Sequence, residues 1–99
     1  MNIQVAIIMG SKSDWDVMSH SAEMLSNLGI QHEAKVISAH RTPDLLDEYC
    51  AELQEKGIKV IIAGAGLAAA LPGVVAAKTT IPVVGVPLVV GSLDGLDAL

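Results

Sequence analysis

The hexapeptide Ser38-Ala39-His40-Arg41-Thr42-Pro43 lies between a mainly apolar run, residues 34–37, and an amphipathic segment, residues 44–56. This placement predicts a turn from a strand into a helix, with Thr42 as the N-cap and Pro43 at the first helical position. The turn carries an imidazole, which exchanges protons near neutral pH, beside a guanidinium, whose planar fork of donors suits phosphate. It therefore offers acid–base chemistry and anion binding together.

Strand and helix patterns alternate on both sides of this turn. The apolar run of residues 3–9 lacks polar alternation, which predicts a strand buried on both faces, as in a parallel sheet. Further strand patterns follow it, and apolar residues at helical spacing lie between them. The predicted strands are residues 3–9, 33–37, 60–63 and 83–86, and the predicted helices are 15–28, 44–56, a short one around 74–78 and a candidate from Asp94. This order predicts an α/β fold, a parallel sheet with helices on both faces, in one domain spanning residues 1–99.

The spacing also predicts which helix faces are buried. The predicted inward face of the first helix comprises Val17, Met18, Ser21, Ala22, Met24, Leu25 and Leu28. That of the second helix comprises Leu46, Tyr49, Cys50 and Leu53. Because the single cysteine lies on this apolar face, we expect Cys50 to be buried and without a chemical role.

The predicted sheet has four strands, followed by an unfinished connection from Pro87 onward. The last strand would present an apolar edge, and one face of the sheet would lack a helix. We therefore expect the domain to be truncated at its C-terminus, so that activity of the 99 residues alone is not assured.

Composition narrows the classes of function. With 52% hydrophobic and 17% charged residues, the chain is too apolar for disorder, yet its apolar runs fall short of the roughly 20 residues that a membrane span needs. The N-terminus shows no pattern of a secretory signal, so we expect a cytoplasmic protein without a membrane partner. A net charge of −5 argues against a nucleic-acid surface. His20, His32 and His40 fall on different predicted elements, so no metal site is predicted.

Ligands of a doubly wound sheet bind at the carboxyl ends of its strands, so the distinctive residues should share one rim. Ser11, Ser13 and Asp14 open a helix there, where they either hold an anion or cap the helix through Ser13 or Asp14. The run Gly64-Ala65-Gly66 lacks the third glycine of a dinucleotide fingerprint, and no P-loop lysine follows a glycine. The residues alone therefore predict an α/β domain with a phosphorylated small ligand, and proton transfer by one histidine if the protein is an enzyme.

Three motifs together resemble the bacterial N5-carboxyaminoimidazole ribonucleotide mutase family of purine biosynthesis. They are Met9-Gly10-Ser11-Lys12-Ser13-Asp14-Trp15, Ser38-Ala39-His40-Arg41-Thr42-Pro43, and Ala63-Gly64-Ala65-Gly66 with Leu71-Pro72-Gly73. The resemblance spans the chain and implies a flavodoxin-like three-layer α/β/α fold, assembled as a homo-octamer when complete. It also implies an isomerase of a ribonucleotide monophosphate that uses no metal, ATP or organic cofactor.

The reaction implied by the resemblance moves the carboxylate of N5-carboxyaminoimidazole ribonucleotide from the exocyclic nitrogen to ring carbon C4. In that family the residues matching Ser11, Ser38 and Arg41 hold the phosphate, and the residue matching Asp14 binds the ribose hydroxyls. The residue matching His40 is the general acid and base, which assists loss of the carboxylate and then removes the ring-carbon proton. Residues 64–73 line the base and trap carbon dioxide, including Gly64, Ala65, Gly66 and Ala70.

The chain departs from the family at one motif. Many members read Gly-Gly-Ala-Ala-His where this chain reads Gly66-Leu67-Ala68-Ala69-Ala70, so a second pocket histidine is replaced by Ala70. Two alternatives therefore stay open beside the mutase. One is a related carboxylase that uses carbon dioxide directly on aminoimidazole ribonucleotide, and the other is a non-catalytic module that binds a phosphoribosyl ligand.

Overall fold

Four parallel strands form the sheet in the computed structural model, which describes residues 2–99. The strands are β1 (Val5–Met9), β2 (His32–Val36), β3 (Val60–Ala65) and β4 (Val83–Pro87). The α-helices are α1 (Trp15–Asn27), α2 (Pro43–Lys56) and α3 (Leu71–Ala76), with short 3-10 turns at Lys12–Asp14 and Leu96–Ala98. The predicted alternation of strands and helices is confirmed, but the candidate helix from Asp94 is only the second 3-10 turn.

The strand order is β2-β1-β3-β4, with every neighbouring pair parallel. Strand β1 is central, and its residue Ile7 lies between Ala34 of β2 and Ile62 of β3. The chain therefore moves outward from β1 in one direction to β2, and in the other direction to β3 and β4. This is the start of the flavodoxin-like order, whose ligand crevice opens between β1 and β3.

Helices pack on both faces of the sheet, which confirms the three-layer prediction. One core joins α2 and α3 to the sheet through buried Leu46, Leu53 and Val75 against Ile8 and Ile61. The other core joins α1 to the opposite face through Met18 and Leu25. The predicted inward face of α2 is confirmed, because its members Leu46, Tyr49, Cys50 and Leu53 are all buried. Burial also raises the pKa of the Cys50 thiol.

The predicted inward face of α1 is too wide. Val17, Met24 and Leu28 are 52%, 59% and 64% exposed, whereas Met18 and Leu25 are buried. The physical reason is that α1 packs mainly on β1 and β2, so only a narrow stripe of the helix meets the sheet. On the same face, Val84 of β4 remains 51% exposed beside Ile62. This part of the face carries no helix among residues 2–99.

Candidate functional site

A cavity of about 360 Å³ opens at the carboxyl ends of β1, β2 and β3, at the point where the strand order switches. Its volume falls in the range of small-molecule sites, roughly 300–1,000 Å³. Three segments that are far apart in the sequence meet there: residues 10–14 (the first loop), 38–42 (the second loop) and 66–70 (the third loop). Of the predicted site residues, those lining the cavity are Ser11, Asp14, Ser38, His40, Ala65, Gly66 and Ala70.

The first loop is shaped by a reciprocal capping box. The backbone N–H of Ser11 donates to Oδ2 of Asp14 at 3.2 Å, and Oγ of Ser11 accepts from the N–H of Ser13 at 3.4 Å. Ser11 is the N-cap of the 3-10 turn Lys12–Asp14, with capping bonds on both sides of the box. Asp14 is the N-cap residue of α1, as predicted, but its side chain makes no capping bond to that helix. The side chains of Ser11 and Asp14 both line the cavity, so the capping box fixes their position at its edge.

The second loop is held by hydrogen bonds centred on Ser38. Its Oγ accepts from the N–H of Arg41 at 3.1 Å, and its carbonyl accepts from Oγ1 of Thr42 at 3.1 Å. Thr42 is the N-cap residue of α2, as predicted, but its hydroxyl makes no capping bond and donates to this carbonyl instead. The turn leaves His40 exposed at its tip, where the imidazole lines the cavity.

Arg41 links the first and second loops. Its Nη2 donates to the carbonyl oxygen of Gly10 at 3.1 Å, although the two residues are 31 positions apart. A guanidinium has five N–H donors, so this bond uses only part of its capacity. Arg41 does not itself line the cavity, and its contact with a ligand stays a prediction.

Gly64 is not among the residues that line the cavity, and its contact with a ligand stays a prediction. It lies buried in β3, where a Cβ atom would come within 2.9 Å of Cε of Met18 from α1. A methyl group at this position would therefore require the Met18 side chain to shift beneath the cavity. By contrast, Gly66 lines the cavity, and a Cβ there would lie 2.7 Å from Cγ2 of Val90.

Ser13, which the sequence indicated as a residue that either holds an anion or caps a helix, also lines the cavity. So do Ala39 and Val90, which were not singled out individually. Val90 follows β4, so the rule that ligands meet strand ends was the signal that could have selected it. For Ser13, the signal was its place in a helix-opening segment. No comparable signal distinguished Ala39 from other loop alanines.

The arrangement places an imidazole and a carboxylate beside the hydroxyls of Ser11 and Ser38, with a guanidinium at the edge. Alanines, Leu71 and Val90 supply an apolar wall. Such a cavity can hold a polar anionic ligand that has a flat apolar part, and the imidazole can exchange a proton with it. Among residues 2–99, no group of three His, Cys, Asp or Glu side chains is placed to hold a metal ion, and no helix is long and apolar enough to cross a membrane.

The fold and cavity define a parallel α/β protein with a small-molecule crevice at the switch point of its sheet. The family model described as AIR carboxylase matches residues 4–99, and the chain belongs to that family.

Curated relatives named N5-carboxyaminoimidazole ribonucleotide mutase agree with this membership. The Pseudomonas aeruginosa protein is 59% identical over all of this chain, and the Bacillus subtilis protein is 58% identical over 96% of it. The chain spans only 61% and 59% of the lengths of these two relatives. A crystal structure of a Treponema denticola PurE2 variant superposes with a TM-score of 0.90 at 28% identity, covering 99% of this chain and 62% of that one.

Proposed function

We propose that the protein is an N5-carboxyaminoimidazole ribonucleotide mutase, an isomerase of purine biosynthesis that produces 4-carboxyaminoimidazole ribonucleotide. The observation that carries the proposal is the convergence of Ser11, Ser38 and His40 on one cavity of suitable volume. The 54–59% identity to mutases from bacteria and an archaeon supports it. The substrate is a small ribonucleotide, and no organic cofactor or metal takes part.

In this proposal the substrate phosphate binds where the first and second loops meet. Hydroxyls of Ser11 and Ser38 and the guanidinium of Arg41 are its donors, and charge-assisted hydrogen bonds from arginine are among the strongest available. The carboxylate of Asp14, held at the cavity edge by the capping box, accepts from the ribose hydroxyls. The base then lies against Ala65, Gly66 and the third loop.

His40 is the proposed proton carrier. Protonation of the exocyclic nitrogen by its imidazolium accompanies cleavage of the N–carboxylate bond and release of carbon dioxide within the cavity. Ring carbon C4 then attacks that carbon dioxide, and the neutral imidazole removes the proton from C4. The imidazolium is thereby regenerated, and no atom is gained or lost between substrate and product.

Specific observations favour two other functions. The matching family model is described as AIR carboxylase, which fits an enzyme that adds carbon dioxide directly to aminoimidazole ribonucleotide. Ala70 lines the cavity where many members have a histidine, which fits a non-catalytic module that binds a phosphoribosyl ligand.

The proposal extends to the protein's setting. Residues 1–99 belong to one domain of a cytoplasmic homo-octamer, and neither nucleic acid nor a membrane is a partner. A net charge of −5 supports the absence of a nucleic-acid partner, since phosphate backbones are bound by basic surfaces. Light scattering coupled to gel filtration tests the octamer, and a mass of any smaller assembly for a chain of the relatives' length contradicts it.

An isotope experiment tests the reaction. The protein, and a chimera extended with the remaining C-terminal residues of the Pseudomonas aeruginosa relative, are given substrate labelled with ¹³C in its carboxylate, in unlabelled bicarbonate. A mutase moves the labelled carboxylate itself from the nitrogen to C4, so the carboxylate of the product keeps the ¹³C. Product carrying unlabelled carboxylate indicates the carboxylase, and ligand binding without turnover by the chimera indicates the binding module.

A further inference from the structure

The third loop has an unfavourable backbone conformation. Leu67 and Ala68 have φ angles of 54° and 53°, in the left-handed region that residues with a Cβ atom rarely adopt. Two such residues in succession persist only where surrounding contacts hold them. Because Leu67 lines the cavity, whatever holds the loop also shapes the site.

The structure supplies one such contact from the end of the chain. Oδ2 of Asp97, in the 3-10 turn Leu96–Ala98, accepts a hydrogen bond from the backbone N–H of Ala68 at 2.9 Å. The other carboxylate oxygen, Oδ1, is buried. The carboxyl group therefore turns inward against the third loop, where one of its oxygens accepts from a backbone N–H.

This bond is not local capping. The 3-10 turn that contains Asp97 has Gly95 as its N-cap and no side-chain capping bond. The carboxylate instead reaches Ala68, which is 29 residues earlier in the chain. The hydrogen bond of Asp97 therefore stabilises the third loop rather than its own 3-10 turn.

The segment between β4 and Asp97 packs against the same loop. A Cβ on Gly66 would lie 2.7 Å from Cγ2 of Val90, and a Cβ on Gly91 would lie 2.9 Å from Cδ2 of Leu67. Both approaches are closer than ordinary contacts, so the two segments fit together at glycines. The loop thus has a steric support, and the hydrogen bond from the N–H of Ala68 to Asp97 is a second contact on it.

We propose that Asp97 is a positioning residue of the cavity: it holds the third loop in the shape that contacts the ligand, without touching the ligand itself. The consequence for substrate rests on the mutase function proposed above. In the proposal the loop meets the base in both the bound substrate and the transition state. Loss of the hydrogen bond from Asp97 should therefore raise KM and leave kcat nearly unchanged.

Amide hydrogen exchange tests the proposal without requiring turnover. We compare Asp97→Ala, which removes the acceptor, with Asp97→Asn, which keeps an acceptor oxygen, and with Asp94→Asn as a matched control of charge. In Asp97→Ala we expect exchange at the Ala68 amide to become about tenfold faster, while Ile8 in the central strand exchanges as in the parent. Asp97→Asn and Asp94→Asn should stay within about threefold of the parent at Ala68.

Three results would overturn the proposal. They are unchanged exchange at Ala68 in Asp97→Ala, equal acceleration at Ala68 and Ile8, and equal acceleration in Asp97→Asn and Asp97→Ala. If Asp97→Ala does not fold, accelerated exchange at Ala68 in Asp97→Asn overturns the proposal, and parent-like exchange there supports it. In the active protein the expected signature is a KM raised about tenfold in Asp97→Ala. Absence of turnover in the chimera that carries the remaining residues of the Pseudomonas aeruginosa relative refutes the mutase function, and exchange at Ala68 still decides the role of Asp97.

Discussion

Arg41 joins two loops through its bond to Gly10, and this placement determines its expected effect on binding. We predict that Arg41→Ala weakens binding of the ribonucleotide monophosphate by roughly 1.5–3 kcal/mol at most, since the lost contact is a charge-assisted hydrogen bond. Binding of the dephosphorylated nucleoside should change little. Calorimetric titration with both ligands measures the difference.

Lys59→Ala is the matched control, because it removes an exposed cation that does not line the cavity. It should leave both affinities as in the parent. If Arg41→Ala retains the parent's preference for the nucleotide over the nucleoside, Arg41 does not bind the phosphate.

Tyr49 gives a prediction for the pH dependence of stability. Its hydroxyl donates to Oε2 of Glu33, and burial, followed by this bond, raises the pKa of the phenol above its usual value near 10. The neutral phenol is thus favoured in the folded state. Its stabilisation is fully present below about pH 10 and is lost as pH rises further. Nζ of Lys56 also lies 3.4 Å from Oε1 of Glu33, so the Glu33 carboxylate is shared between Tyr49 and Lys56.

We predict that Tyr49→Phe lowers the free energy of unfolding by roughly 1.5–3 kcal/mol at pH 7, because the carboxylate of Glu33 loses its buried donor. The difference from the parent should shrink above pH 10. Urea unfolding followed by circular dichroism between pH 7 and 11 measures both effects. A difference that stays constant or grows above pH 10 would show that folding does not raise the pKa of the phenol.

Single residues also show where sequence reasoning succeeds and where it stops. Ser11, Ser38 and His40 could be placed at one cavity because each follows a strand, and parallel strands end at one edge. The partner of the Thr42 hydroxyl could not be predicted, since a nearby carbonyl competes with the helix end. Asp97 gave no signal, because its partner lies 29 residues away across the fold.

At the scale of elements, the contact between α1 and β3 depends on a glycine. We predict that Gly64→Ala destabilises the protein by roughly 1–3 kcal/mol, because the added methyl group overpacks the site filled by buried Met18. Gly73→Ala in α3 is the matched control: nothing lies within 4 Å of a Cβ there, and alanine favours a helix. Urea denaturation of both variants makes the comparison.

Equal stability of Gly64→Ala and the parent would show that the Met18 side chain can move aside without loss. The glycine would then have no packing role beneath the cavity.

The elements themselves were largely predictable. Apolar runs and helical spacing located the strands and α2. Strand β1 is buried throughout and α2 on its predicted face, whereas the edge strands β2 and β4 have no fully buried residue, because each has a neighbouring strand on one side only. The inward face of α1 was overestimated, because spacing shows which residues could face a sheet and not how much of the sheet lies beneath them. Val17 and Leu28 therefore appear on the predicted buried face and are exposed in the fold.

At the scale of the whole molecule, the face of the sheet on which α1 packs carries no helix over β4 among residues 2–99. We predict that Val84→Lys changes the stability of the 99-residue chain by less than about 0.5 kcal/mol, since Val84 is 51% exposed. In the chimera carrying the remaining residues of the Pseudomonas aeruginosa relative, the same change should cost more than about 1 kcal/mol, because a lysine would be buried.

Unfolding curves of the four proteins give both differences. An equally small effect in the chimera would show that the added residues do not cover β4. The sequence predicted an uncovered apolar face, because four strands with three connecting helices leave one side short of a helix. The sequence could not show which residues of this face stay exposed, because that depends on how α1 packs on the sheet.

The central claim is that His40 carries the proton at the cavity, and single-turnover kinetics of His40→Asn test it most directly. The variant keeps the size and some hydrogen bonding of the imidazole but cannot exchange a proton near neutral pH. In a chain of the relatives' length we predict nearly unchanged binding of the ribonucleotide and a rate of isomerisation reduced about 10²–10⁴-fold. A variant that retains more than about a tenth of the parent's rate would contradict the account, because the proton would then be carried by another group.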